Sequence, residues 1–183
     1  MFGELGVPVF DSDDAVRDFY SGDGAKAVEA AFPGVMVSGQ VDRERLGARV
    51  LGDAEALQRL EGLVHPAVAQ SRVQFVERAA AAGRRFVIVD VPLLFETGGE
   101  ADVDLVIVVS APESIQRERV LARAGMTEAK LEAILSRQMP DAEKKRRAHF
   151  IIDTRGRLEL TSHVVGQFMR SVGAMAGGRT RDA

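Results

Sequence analysis

Residues 86–91 read F-V-I-V-D-V, apolar at five of six positions. A strand with one wet face alternates polar and apolar residues, whereas a run apolar throughout must be covered on both faces. Residues 7–10 (V-P-V-F), 104–109 (D-L-V-I-V-V) and 150–153 (F-I-I-D) have the same character. Long helical patterns separate these four segments, which predicts an α/β fold with a parallel sheet flanked by helices. One domain over residues 1–183 accommodates it.

The helical patterns are legible from caps and breakers. Phe2 and Leu5 have helical spacing and Gly6 follows them, so the chain reads as starting inside an element whose upstream part is missing. Residues 14–20 form a helix ended by S-G-D-G, and residues 25–32 another closed by Pro33-Gly34. Asp42 caps a helix through Val50, and Asp53 caps one through Val64. His65-Pro66 marks a junction before a long helix to about Ala82, so residues 14–83 read as helical throughout. Pro112 opens a helix to about Arg123, Thr127 caps the next, and Asp141 begins a short one rich in Lys and Arg. A closing amphipathic helix runs from Leu158 to about Met175, and residues 177–183 read as a frayed tail.

Composition narrows the class. A net charge of −3 gives no general case for nucleic acid, and no apolar run is long enough to span a bilayer. With no cysteine there is neither disulfide framework nor thiolate chemistry, and a cytoplasmic setting is expected. His65, His149 and His163 lie far apart, without metal-site spacing.

Several side chains have the chemistry for a site. Asp11 and Asp13 fall where the first strand gives way to a helix, at the strand end where parallel sheets bind ligands. They can orient a metal, take a proton from a hydroxyl, or cap the helix. Asp90 ends the strongest strand and is a candidate magnesium ligand, or a buried acid held by a backbone amide. Gln116, Arg119 and Arg123, at i, i+3 and i+7, would share one helix face. Arginine forks suit phosphate oxygens, although an isolated pattern of this kind is more often solvated charge. The run Lys144 to Arg147 is offset by Asp141 and Glu143. No G-x-x-x-x-G-K-[ST] motif occurs, and none of the four lysines follows a glycine.

Six stretches together resemble the dephospho-CoA kinase family of P-loop kinases. They are L-G-V-P-V-F-D-S-D-D-A-V-R (5–17), L-V-H-P-A-V (63–68), V-D-V-P-L-L-F-E (89–96), Q-R-E-R-V-L-A-R-A-G-M-T (116–127), R-Q-M-P-D-A-E-K-K-R-R-A (137–148) and F-I-I-D-T (150–154). Each alone is weak, but they occur in the family's order up to about residue 175. The resemblance implies a three-layer α/β/α fold. It further implies ATP-dependent phosphorylation of the 3′-hydroxyl of dephospho-CoA, with Mg2+ accompanying ATP. Dephospho-CoA and ATP are the implied partners, with no nucleic acid and no membrane.

By the same resemblance Asp13 matches the base, while Arg119 and Arg123 in a lid over residues 112–147 face the phosphates. Asp11, Arg17, His65, Pro92 and Leu93 become candidate substrate contacts, with residues 18–83 as the CoA-binding region and Asp90 the metal candidate. Two features depart from the family. Its first strand, glycine-rich P-loop and most of the following helix are not represented, which would leave a gap in the sheet and an inactive chain. His149 stands where the family usually carries an acid. The competing expectations are a non-catalytic CoA- or nucleotide-binding fragment and, less favoured, a haloacid-dehalogenase-like phosphatase using Asp11 and Asp13.

Overall fold

The computed structural model describes residues 1–174; Met175 and the expected tail at 177–183 lie outside the described residues. The chain forms two compact units, residues 2–92 and, apart from Met1, residues 93 onward. The four expected core strands are present, with shifted ends: β1 (Val9–Asp11), β4 (Ile88–Asp90), β5 (Ile107–Ser110) and β6 (Phe150–Asp153). They pair in parallel two by two, β1 with β4 and β5 with β6, rather than in one ladder. Parallel strands flanked by helices make this an α/β fold.

In the first unit a short 3-10 turn, Gly3–Leu5, ends at Gly6 with φ +76°, the left-handed conformation expected after a helix end. β1 leads directly into α1 (Ser12–Ser21), followed by α2 (Gly24–Ala31). The region expected to be helical throughout then contains a hairpin, β2 (Met36–Val37) paired antiparallel with β3 (Gln40–Val41). Ser38 (φ +50°) and Gly39 (φ +83°) make its two-residue turn, with positive φ at both centres as a type I′ turn requires. Glu29 braces the approach, because its two carboxylate oxygens accept the Gly34 and Met36 N–H groups, each at 2.7 Å. Those bonds hold the Glu29 carboxyl below its usual range.

Two helices follow, α3 (Arg43–Val50) and α4 (Ala54–Ala81), capped as expected by Asp42 and Asp53. The predicted break at His65-Pro66 does not occur, since α4 runs through Pro66 for 28 residues. Proline removes one backbone bond, but Leu60 and Val64 before it are buried and Val68 after it packs on the same core. Continuous burial of one face outweighs the local defect. That core also takes Val28, Phe32, Val35 and Leu46, while Phe10 of β1 meets Phe75 of α4 at 5.6 Å between ring centroids.

The second unit packs Phe95, Val106 and Val108 as a smaller core. It contains α5 (Glu113–Leu121), α6 (Glu128–Leu135), α7 (Asp141–Arg147) and α8 (Leu158–Ala174). The basic run in α7 is neutralised, as its flanking acids suggested, but by more partners. Lys144 pairs with Glu96 at 2.9 Å, Lys145 with Asp141 at 2.6 Å, Arg146 with Glu143, and Arg147 with Glu100 and Glu143. The structure also explains His149. Its Nδ1 accepts the Val106 N–H at 3.0 Å, while the His149 backbone N–H donates to the Val106 carbonyl at 2.9 Å. The ring nitrogen thus acts as an acceptor that helps fix where β6 joins β5.

Glu96 and Lys144 are largely enclosed, at 15% and 17% side-chain exposure. Glu96 Oε1 also accepts the Met139 N–H at 2.6 Å. Burial alone would raise the Glu96 carboxyl, but Lys144 and the Met139 N–H outweigh it and hold it below the usual range. A depressed folded pKa stabilises above the unfolded value and is lost as pH falls through the folded one. Unfolding free energy should therefore decline below the ordinary glutamate range, and less steeply in Glu96→Gln, as chemical denaturation across pH 3 to 7 (roughly the carboxylate window) would show. Lys144→Met should cost about 1–3 kcal/mol by stranding the carboxylate.

Candidate active site

β1 ends at Asp11, and Asp11 is also the first cap of α1. Its Oδ1 accepts the Asp13 N–H at 2.8 Å and the Asp14 N–H at 3.2 Å. The capping role, one of the alternatives for this pair of acids, thus falls to Asp11. The same two bonds fix the turn that carries Asp13, whose side chain is exposed. Across the ladder Asp11 stands opposite Asp90. Three carboxylates therefore gather at one end of β1 and β4, at the carboxyl ends of parallel strands.

Partial desolvation first, then the charges of Asp11 and Asp13, raise the Asp90 carboxyl above the usual aspartate range although its side chain reaches solvent. Among the described residues no group of three His, Cys, Asp or Glu side chains could hold a metal ion by itself. The donor set nevertheless fits magnesium as phosphoryl-transfer sites bind it, with one or two carboxylates and the remaining oxygens from water and substrate phosphates.

Beside this acidic end a cavity of about 460 Å³ opens between α1, α3 and α4. Asp13 and Arg17 line it, as do Tyr20, Arg43, Leu46 and Leu60. Arg17 is ion-paired with Asp14 one turn away. Arg43 lies over the Tyr20 ring, 5.8 Å from its centroid. Burial raises the Tyr20 phenol, and the Arg43 charge offsets part of that rise. Neither Tyr20 nor Arg43 was a sequence candidate. No motif marks them, and only the hairpin, which brings α3 back toward α1, makes them neighbours.

The other candidates fall elsewhere. His65 is exposed in the middle of α4, away from the cavity lining. Pro92 closes the first unit and Leu93 opens the second, both exposed. In the second unit Arg119 donates to the Thr154 carbonyl at 2.8 Å and faces its hydroxyl at 3.4 Å. Gln116 Nε2 donates to the Ala111 carbonyl at 2.7 Å. Arg123 does not share their helix face, because α5 ends at Leu121 and Arg123 sits in the following turn, its N–H on the Val120 carbonyl. Gly125, at φ +74°, completes that turn. Arg117, which carried no expectation, ties α5 to α6 through Glu128 and, at 2.9 Å, Glu132.

The chain matches the family model for dephospho-CoA kinase over residues 1–159. A dephospho-CoA kinase of Mesorhizobium japonicum is 60% identical over 159 residues, 87% of this chain and 81% of that protein. One from Rhodopseudomonas palustris is 47% identical over 182 residues, 100% of this chain and 90% of the relative. Among solved structures, a Thermus thermophilus protein superposes with a TM-score of 0.78 at 30% identity, covering 93% of this chain and 87% of that one. A dephospho-CoA kinase from Campylobacter jejuni has a TM-score of 0.65 at 20% identity over the same shares, which shows the common fold. The six motif stretches, the α/β architecture and these likenesses agree, and the chain belongs to the dephospho-CoA kinase family.

Proposed function

We propose that the chain contributes to ATP-dependent phosphorylation of the ribose 3′-hydroxyl of dephospho-CoA, with Asp13 as the acid that receives the hydroxyl proton. The observation carrying this reading is the position of Asp13, exposed on a turn locked by Asp11 and facing the cavity. In the step, the hydroxyl oxygen forms a bond to the γ-phosphorus while the bond from that phosphorus to the β–γ bridging oxygen breaks. ADP leaves, and the hydroxyl proton passes to the Asp13 carboxylate. Phosphoryl transfer asks mainly for positioning and charge neutralisation, and one well-placed carboxylate meets the proton requirement.

Magnesium, when bound, neutralises charge on the β- and γ-phosphates; Asp90 is the residue proposed to hold it, since a cation would relieve the repulsion it feels. Arg119 and Arg123 are proposed phosphate contacts, with Arg123, in its turn beyond α5, the less encumbered of the two. Arg17, His65, Pro92 and Leu93 are retained as proposed substrate contacts. Asp11, whose Oδ1 already serves two N–H groups, is proposed as a positioning residue. This commitment also disfavours a phosphatase in which Asp11 would be the nucleophile. A cytoplasmic setting is proposed from the family and the cysteine-free composition.

The reading generates three expectations. The 183 residues contain no phosphate-cradling glycine-rich loop, so the chain as numbered should bind Mg·ATP weakly, and micromolar affinity in a calorimetric titration would contradict this. In a protein carrying an upstream strand–P-loop–helix segment, Asp13→Asn should lower kcat roughly a hundredfold or more with dephospho-CoA binding retained. A larger kcat loss in Asp11→Asn, with both variants folded, would reverse the two roles. In the same protein Arg123→Lys should slow turnover, because an ammonium cannot reproduce the planar fork. Unchanged kinetics would remove Arg123 from the site.

A further inference from the structure

The cavity beside Asp13 is more discriminating than a site for a hydroxyl alone would need to be. Its floor is apolar, formed by Leu46, Val50 and Leu60, all buried. Its wall carries two guanidinium groups in different states. Arg17 is paired with Asp14 one turn away, which partly offsets its charge. Arg43, the first residue of α3, makes no ion pair among the described residues and lies over the Tyr20 ring. An aromatic ring under a guanidinium accepts none of its N–H groups as conventional hydrogen bonds, so the donors stay available to an anion. A guanidinium without an ion pair, on the lining of a cavity with an apolar floor, is suited to an anion that accepts two parallel hydrogen bonds.

The asymmetry along the wall indicates which part of an acceptor lies where. In a nucleotide the 3′-hydroxyl and the 5′-phosphate are one sugar ring apart. A pocket that grips both needs an acid and a cation facing the same sugar-sized space, and the cavity has Asp13 and Arg43 on its lining. Its volume, about 460 Å³, lies within the range of small-molecule sites. The amide-linked arm beyond the diphosphate offers no negative charge, so a cationic wall would do nothing to recognise it.

We infer that Arg43, set over the Tyr20 ring, is a specificity-determining residue that holds the 5′-diphosphate of the acceptor nucleotide while Asp13 addresses its 3′-hydroxyl. This rests on reading the cavity as the acceptor site. It adds that the diphosphate, rather than the pantetheine arm, is what the cavity recognises. Asp42, Glu44 and Arg45 neighbour Arg43 in sequence, but Asp42 is engaged with the Glu44 and Arg45 N–H groups and with the Arg45 side chain. The Arg43 fork is therefore the cation that α3 leaves available to the cavity.

The test needs no turnover. The 183-residue chain is titrated calorimetrically with dephospho-CoA, adenosine and pantetheine, each at two salt concentrations, as wild type, Arg43→Ala, Arg43→Lys and Tyr20→Phe. Arg43 is exposed, so its variants should fold, as circular dichroism would verify. Arg43→Ala should weaken dephospho-CoA binding about ten- to a hundredfold, as for loss of a charge-assisted pair. It should also flatten the salt dependence of that binding and leave adenosine and pantetheine within about twofold. Arg43→Lys should recover part of the affinity, and Tyr20→Phe, which keeps the platform, should stay near wild type. Unchanged dephospho-CoA affinity and salt dependence in Arg43→Ala would overturn the inference and leave the function standing. So would equal losses for all three ligands, which would mark a structural role. A wild-type chain that binds none of them would overturn the acceptor-site reading itself.

Discussion

The bond pair from the Asp11 carboxylate to the Asp13 and Asp14 N–H groups is the constraint on which the site depends. A strand and a helix meet there with no intervening loop, and the first turn of the helix would otherwise present unsatisfied donors. One carboxylate satisfies two of them and makes the direction of the next side chains a property of the backbone. Asp11 caps the helix, and Asp13 lines the cavity. Two acids separated by one residue are thus placed differently, and Asp90, opposite Asp11 in the ladder, adds a third carboxylate to the same end.

Around that turn the first unit is built to return α3 to α1. Glu29 braces the entry to the hairpin, the Ser38-Gly39 turn reverses the chain, and Asp42 starts α3 at once. None of these residues has a role in the proposed chemistry, yet together they place Arg43 over Tyr20. The second unit follows a different economy, in which its basic helix is neutralised inward by Glu96, Glu100, Asp141 and Glu143. The resemblance directs attention to the arginines of that unit, of which Arg117, Arg146 and Arg147 are held in ion pairs.

The fold class and the strand positions were legible in the sequence because runs such as F-V-I-V-D-V admit few environments, and because Asp42, Asp53 and Thr127 announce their helices. Asp11, Asp13 and Asp90 were legible as strand-end acids. What escaped was long-range. Ser38-Gly39 is a weak hairpin signal beside Asn-Gly, and the strands it joins are two residues each. Pro66 carries a strong local signal for a break, overridden by burial on both sides of it. Arg123 has helical spacing from Arg119, but the glycine turn behind it ends the helix first. The Tyr20–Arg43 pair joins residues 23 positions apart with no motif between them, so only the folded chain brings it to notice.

If the acid at position 13 serves transfer to one particular hydroxyl, the new phosphate will sit on one defined oxygen. The chain, joined to a strand–P-loop–helix segment, would be incubated with Mg·ATP and dephospho-CoA and the product examined by phosphorus NMR. One new phosphomonoester is expected on the ribose 3′-oxygen, formed in step with ADP. Phosphate appearing only as the free inorganic ion, or on another oxygen of the acceptor, would contradict it.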